Sequence, residues 1–203
     1  MPYELTRNQS IDSLWKSPNL ILSQCCGPDL LTGKGAGLSV VARPVFAGLD
    51  CAPGSYYSHI VSRTERLISS ARIAVNSLSS RSGYYGLTEW MLLNKIEISA
   101  VQVSGSHNAS LIMLEQDLAD LAAIDAHTLN QLEIKLALPI IGKSTDAITP
   151  PYVFHKKSSL RRDLLTQALT CAVQKNGEDI GITGLVQSDR THYENSFSGT
   201  EKL

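Results

Sequence analysis

The pattern of apolar and polar positions is clearest between Arg72 and Asp125. Arg72-Ile73-Ala74-Val75-Asn76 reads as a short strand, because a brief apolar run bounded by polar loop residues suits a buried strand. The polar loop 77–83 follows and opens a helix over 84–93. Ala100-Val101-Gln102-Val103 predicts a second strand, 104–110 a second Ser/Gly loop, and 111–118 a second helix. Leu121-Ala122-Ala123-Ile124-Asp125 closes the stretch as a third strand. Twice, an apolar strand ends in a Ser/Gly loop that becomes a helix N-terminus. Free N–H groups and the positive end of the helix dipole make such places favourable for anions. Two of them side by side, with His107 and Asp125 at neighbouring strand ends, predict a pocket for a small oxyanion.

The flanking sequence is less regular. Residues 19–24 form an apolar run read as a buried strand, ending in the turn Cys25-Cys26-Gly27-Pro28. Residues 38–46 predict a strand broken by Pro44, and 56–63 a strand of mixed polarity. Residues 126–136 read as helix and 138–142 as strand. Thr149-Pro150-Pro151 interrupts the chain, and Tyr152-Val153-Phe154 is extended. Ser158-Ser159 is expected to cap a helix over 160–174, where Leu160, Leu164, Leu165, Ala168, Leu169 and Ala172 recur at helical spacing. The tail from 177 to 203 is rich in Gly, Ser and Thr, with one apolar run at 180–186. Alternating strands and helices predict an α/β fold with largely parallel sheets, in which ligands bind at the carboxyl ends of strands.

Composition narrows the function. The 203 residues are 43% hydrophobic and 18% charged, as a globular chain is, with a formal net charge of -1. No basic excess favours nucleic acid, and no apolar run reaches the length of a membrane span. The first 19 residues are polar and lack the apolar centre of a signal peptide, which predicts a cytoplasmic, processed or truncated chain. Cys25, Cys26, Cys51 and Cys171 contain no C-x-x-C pattern, so no zinc site is expected. A bridge from Cys25 or Cys26 to Cys51 and a set of reduced thiols both remain open at this point. His59, His127, His155 and His192 show no metal-ligand spacing and receive no role, and Trp15 and Trp90 read as packing residues. No cofactor and no metal are expected.

Several motifs occur in one order: Trp15-Lys16-Ser17-Pro18-Asn19-Leu20, Ser23-Gln24-Cys25-Cys26-Gly27, Cys51 with Tyr56-Tyr57-Ser58, and Asn76 with Ser80-Arg81-Ser82-Gly83. Gly105-Ser106-His107-Asn108-Ala109-Ser110 and Ala119-Asp120-Leu121-Ala122-Ala123-Ile124-Asp125 follow. Together they resemble the phosphonate-binding-like (PhnD-like) solute-binding proteins of ABC transporters. The resemblance implies a type II periplasmic-binding-protein fold, with two α/β lobes closing on a ligand. Lobe 1 would be discontinuous, 1–66 and 149–203, and lobe 2 would run over 67–148. Tyr56, Ser80, Arg81, Ser82, His107 and Asp125 would contact the ligand, and Cys26 would pair with Cys51. The partners implied are a small oxyanion and a membrane permease, in a periplasmic or other extracytoplasmic setting. Such proteins usually carry a strand and helix before the Trp-x-x-Pro segment, so an incomplete first lobe is expected. Arg81 stands where the family has a small residue.

Each residue also has a plainer reading. Ser80 and Ser82 would cap a helix without any ligand, and Asp125 would cap the following helix. Tyr56 would be a packed aromatic, and His107 a capping or surface residue. Non-catalytic oxyanion binding is the leading function. The alternatives are a cytoplasmic ligand-sensing domain of the same fold and a hydrolase pairing Cys25, Cys26 or Ser82 with His107. The chain lacks G-x-S-x-G, so no nucleophile elbow supports the last.

Overall fold

The computed structural model describes residues 5–132 and 137–197. Its central ladder is parallel: β5 (Ser70–Val75) lies between β6 (Glu97–Val103) and β7 (Leu121–Asp125). All five residues of β7 are buried, which is why its sequence is a continuous apolar run rather than an alternating one. Side chains of β5 alternate between two cores. Ile73 and Val75 meet Leu87 and Met91 of α3 (Gly86–Leu93), whereas Ala74 meets Leu111 and Leu114 of α4 (His107–Glu115). Each crossover helix therefore covers one face. Two antiparallel strands, β4 (Ser58–Ser62) and β8 (Ile140–Lys143), complete the order β6-β5-β7-β4-β8.

A second, four-stranded sheet has the order β1-β10-β2-β11, built from Ser23–Gln24, Tyr152–His155, Leu38–Phe46 and Ile182–Gln187. Every pairing in it is antiparallel. One face is covered by Leu165 and Leu169 of α6 (Arg162–Asn176). The other meets Trp15 of α1 (Ile11–Lys16), Leu30 of α2 (Gly27–Leu31) and Tyr193 of α7 (Arg190–Phe197). The chain passes between the sheets twice, and there β3 (Ser55–Tyr56) pairs with β9 (Ala147–Ile148). Just beyond β9, Thr149 is fully buried. Its hydroxyl donates to the Pro44 and Gly54 carbonyls at 2.7 and 3.1 Å, and its own carbonyl accepts from the Tyr193 hydroxyl at 2.8 Å.

The α/β class and β7 agree with the sequence reading, but the expectation of mainly parallel sheets holds only around β5. Ser58–Ser62, placed by sequence in lobe 1, is hydrogen-bonded into the five-stranded sheet. Pro44 does not break β2, because β10 pairs with β2 only as far as Ala42 and Pro44 keeps a single neighbour, Leu185 of β11. Both helices of the site begin earlier than predicted, at Arg81 and His107, since Ser80 and Ser106 are their N-caps. Helix α6 begins at Arg162 rather than after the Ser158-Ser159 pair, and Ser158 Oγ accepts only the Leu160 N–H. Sequence missed α2 and α7 altogether. The C-terminal end of the helix expected over 126–136 lies outside the described residues, and α5 (Ala126–Gln131) is its observed part. No helix among the described residues is long and apolar enough to cross a membrane.

Candidate functional site

Both helix-opening loops sit at the carboxyl end of the parallel strands. After β5 the chain turns through 76–80 into a helix whose first turn, Arg81–Tyr85, is a π-helix continuing directly into α3. Ser80 caps it, accepting the Gly83 N–H at 2.9 Å. A Cβ at Gly83 would begin 2.0 Å from Asn76 Oδ1, so any larger residue there would push the Asn76 amide aside. Ser82 Oγ lies 3.3 Å from Ser80 Oγ and 3.0 Å from Nε2 of His107, the first residue of α4. At the end of β7, Asp125 accepts the Thr128 N–H at 2.8 Å and so caps α5.

Tyr56, Ser80, Ser82, His107 and Asp125 all line one cavity of about 400 Å³ between the two sheets. The four-stranded sheet and its neighbours supply the opposite wall, including Cys26, Asp29, Phe46, Tyr152 and Ile182. The Phe46 ring stacks on His127 with centroids 4.0 Å apart and planes 4° apart. Among the described lining residues none is Lys or Arg. Asp29 Oδ1 and Asn76 Oδ1 are buried there without a hydrogen-bond partner.

Burial sets the protonation of the site. It pushes His107 down to about 4, with the Ala123 carbonyl opposing the shift, so the imidazole is neutral at pH 7. Nδ1 of that ring is buried without a well-formed hydrogen bond. Burial also raises the Asp125 carboxyl, against the stabilising N–H groups of Thr128 and His127. Tyr56 is raised by burial first and by the neighbouring Cys26 and Asp125 next, so its phenol stays protonated. Cys26 is pushed up to about 11 by burial, with the Arg81 N–H opposing, and remains a thiol.

The structure differs from two expectations, the place of Arg81 and the pairing of Cys26 with Cys51. Arg81 does not line the cavity. Its Nη2 donates to Glu89 Oε2 at 2.9 Å and to Thr145 Oγ1 at 3.3 Å, and the buried carboxylate holds the guanidinium on the far side of the loop. Cys26 and Cys51 are both free thiols, against the expected bridge. Cys26 Sγ accepts the Arg81 N–H at 3.4 Å and lies 3.9 Å from the Ser79 carbonyl, whereas Cys51 Sγ is engaged by the Ser55 carbonyl. Sequence reasoning missed Asp29, Phe46, Asn76, His127 and Tyr152. His127 and Asn76 were findable, because each lies within two residues of a parallel-strand end. Phe46, Asp29 and Tyr152 carried no local signal. Among the described residues no group of His, Cys, Asp and Glu is placed to hold a metal ion.

No family model and no curated protein matches the sequence. Solved structures do match the fold. A binding-protein component of an ABC phosphonate transporter from Pseudomonas aeruginosa aligns with TM-score 0.64 and 15% identity, over 85% of this chain and 65% of that one. PhnD1 from Prochlorococcus marinus in complex with methylphosphonate gives TM-score 0.64 and 14% identity, over 86% and 75%. XAC2383 from Xanthomonas citri bound to chloride ion gives 0.64 and 14%, over 88% and 76%, and the same protein bound to ATP gives 0.60. The fold is that of type II periplasmic binding proteins. At this identity the likeness is one of architecture, and its partial coverage of the longer neighbours fits an incomplete lobe.

Proposed function

We propose that the protein is a non-catalytic binding protein that captures a small oxyanion, such as a phosphonate or phosphate, and delivers it to an ABC transporter permease. One observation carries the reading: two helix N-termini converge, with Ser82 within hydrogen-bonding reach of both Ser80 and His107 in a single cavity. Helix N-termini and hydroxyls suit oxyanions. Methylphosphonate in a neighbour of the same fold gives a precedent for the ligand, and the transporter named with another gives one for the partner. The lobes would hinge at the β3–β9 ladder, which assigns β4 to the lobe of the five-stranded sheet. Tyr56 and Asp125 would complete the contacts, the latter towards a hydroxyl or a protonated oxyanion.

Calorimetric titration with methylphosphonate, phosphate, phosphite and sulfate tests this. Ser80→Ala with Ser82→Ala should weaken binding by at least about 100-fold, since hydrogen bonds to a charged group contribute about 1.5–3 kcal/mol each. With no cation in the lining, affinity should change little with added salt. A folded protein that binds none of the four ions sinks the reading.

The Ser82–His107 contact also resembles a nucleophile–base pair. A ring whose pKa has fallen to about 4 is a weak base, and its buried Nδ1 lacks the carboxylate that would raise it. Binding is therefore the better-supported reading. Turnover of nitrophenyl esters that disappears in His107→Ala would reverse that order.

A further inference from the structure

The cavity is larger than a bare oxyanion needs. Methylphosphonate has five heavy atoms; at the roughly 30 Å³ that a water occupies in the liquid, it would fill about 150 Å³. More than half of the 400 Å³ would then remain. The remainder has a distinct character. Phe46 and Ile182 are cross-strand partners at the ends of β2 and β11. Phe46 stacks on His127 and meets Tyr56 edge-on, with centroids 6.3 Å apart. Tyr152 lines the same cavity. Burial lowers the pKa of His127 and raises that of Tyr152, so both rings are uncharged at pH 7. Beside Asp29 and Cys26, this wall presents carbon and neutral rings, opposite loops that present hydroxyls and N–H groups.

We propose that the ligand is an organic oxyanion bearing an uncharged apolar substituent of about the size of a phenyl ring, seated against Phe46, Ile182 and Tyr152. The proposal rests on the oxyanion reading above and specifies the other end of the same ligand. The oxyanion would be held by Ser80, Ser82 and the two helix N-termini. Its substituent would point across the cavity and displace water from the rings and from Ile182. Replacing methyl by a ring adds apolar surface that the wall removes from water, which gives the preference its driving force. Asp29 and Asp125 also face the cavity and offer the competing arrangement, in which a cationic substituent is read instead.

The test is calorimetric titration of the whole chain with methylphosphonate, phenylphosphonate and 2-aminoethylphosphonate. Phenylphosphonate should bind about tenfold more tightly than methylphosphonate or better. In Phe46→Ala, and separately in Ile182→Ala, that ratio should fall towards one, because phenylphosphonate loses more affinity than methylphosphonate does. Circular dichroism of each variant reports that it is folded. Equal binding of the methyl and phenyl compounds overturns the proposal alone, as does a ratio that survives both substitutions or the tightest binding by the aminoethyl compound. Binding of none of the three overturns it together with the oxyanion reading on which it rests.

Discussion

In the five-stranded sheet β5, β6 and β7 follow one another along the chain, each linked to the next by a single helix. In the four-stranded sheet β2 finds its partners far along the sequence, with Ala42 beside both Tyr152 and Gln187. The two regions also divide the site. The first contributes Ser80, Ser82, His107 and Asp125, whose positions follow from strand ends and caps. The second contributes Phe46, Tyr152 and Ile182, whose positions follow only from long-range pairing. Local geometry places the polar groups on one side of the cavity, and non-local geometry shapes the wall they face.

The sharpest way to break the comparison is to damage one region and look at the other. Gly177 ends α6, and a Cβ there would begin 2.2 Å from the Ile182 carbonyl at the start of β11. Gly177→Ala should cost about 3 kcal/mol, because the obstacle is backbone and cannot rotate away. Denaturant unfolding followed by Trp15 and by Trp90, in single-tryptophan variants, should show the four-stranded region failing first. A single transition at an unchanged midpoint would contradict this.

Arg81→Ala should rank next. It strands the Glu89 carboxylate, only 12% exposed, without its cation, a change that typically costs about 3 kcal/mol. Oxyanion affinity of the folded variant should be unchanged, because Arg81 faces away from the cavity. A large loss of affinity at unchanged stability would restore the role that sequence suggested.

A third effect depends on pH. The folded-state pKa of His107, about 4, lies below the value of about 6.5 for an unfolded chain. As pH falls, the unfolded state takes up the proton first. The stability tied to neutral His107 is complete above about pH 6.5 and is lost as pH falls towards 4, by about 3 kcal/mol. Asp125 acts in the opposite sense: its raised folded pKa means that its burial disfavours folding once it ionises and is relieved in acid. The measurement is therefore the difference in unfolding free energy between the parent and His107→Gln at pH 7 and pH 4.5. A difference that does not narrow at the lower pH would reject the burial argument.

Much of the five-stranded region was legible in the sequence. The bounds of β7 were read correctly because every one of its residues is apolar or ends the strand as a cap. That Ser80, Ser82 and His107 stand together beside the cavity could be read because the first turns of helices are local events. Arg81 was misread for a reason no spacing reveals: its partner Glu89 lies two turns along the same helix, and its charge is neutralised inside the protein. The Cys26–Cys51 pairing came from resemblance, whereas in the structure each thiol is occupied by a nearby backbone group. Helix α7 escaped because its buried anchor, Tyr193, bonds to Thr149 rather than to a neighbour in sequence.

The pairing of β2 has a consequence for how the chain is made. Strand Leu38–Phe46 leaves the ribosome well before Tyr152–His155 and Ile182–Gln187 exist to flank it. At translation rates of about 5–20 residues per second, that interval is on the order of ten seconds. The five-stranded sheet can close within this time, because β8 is synthesised before any partner of β2. Throughout that period β2 lacks its partners, and once β8 is made a complete sheet stands beside this apolar segment until β10 and β11 follow. Shielding that segment during synthesis, more than stabilising the finished protein, is the demand this topology places on the machinery that makes it.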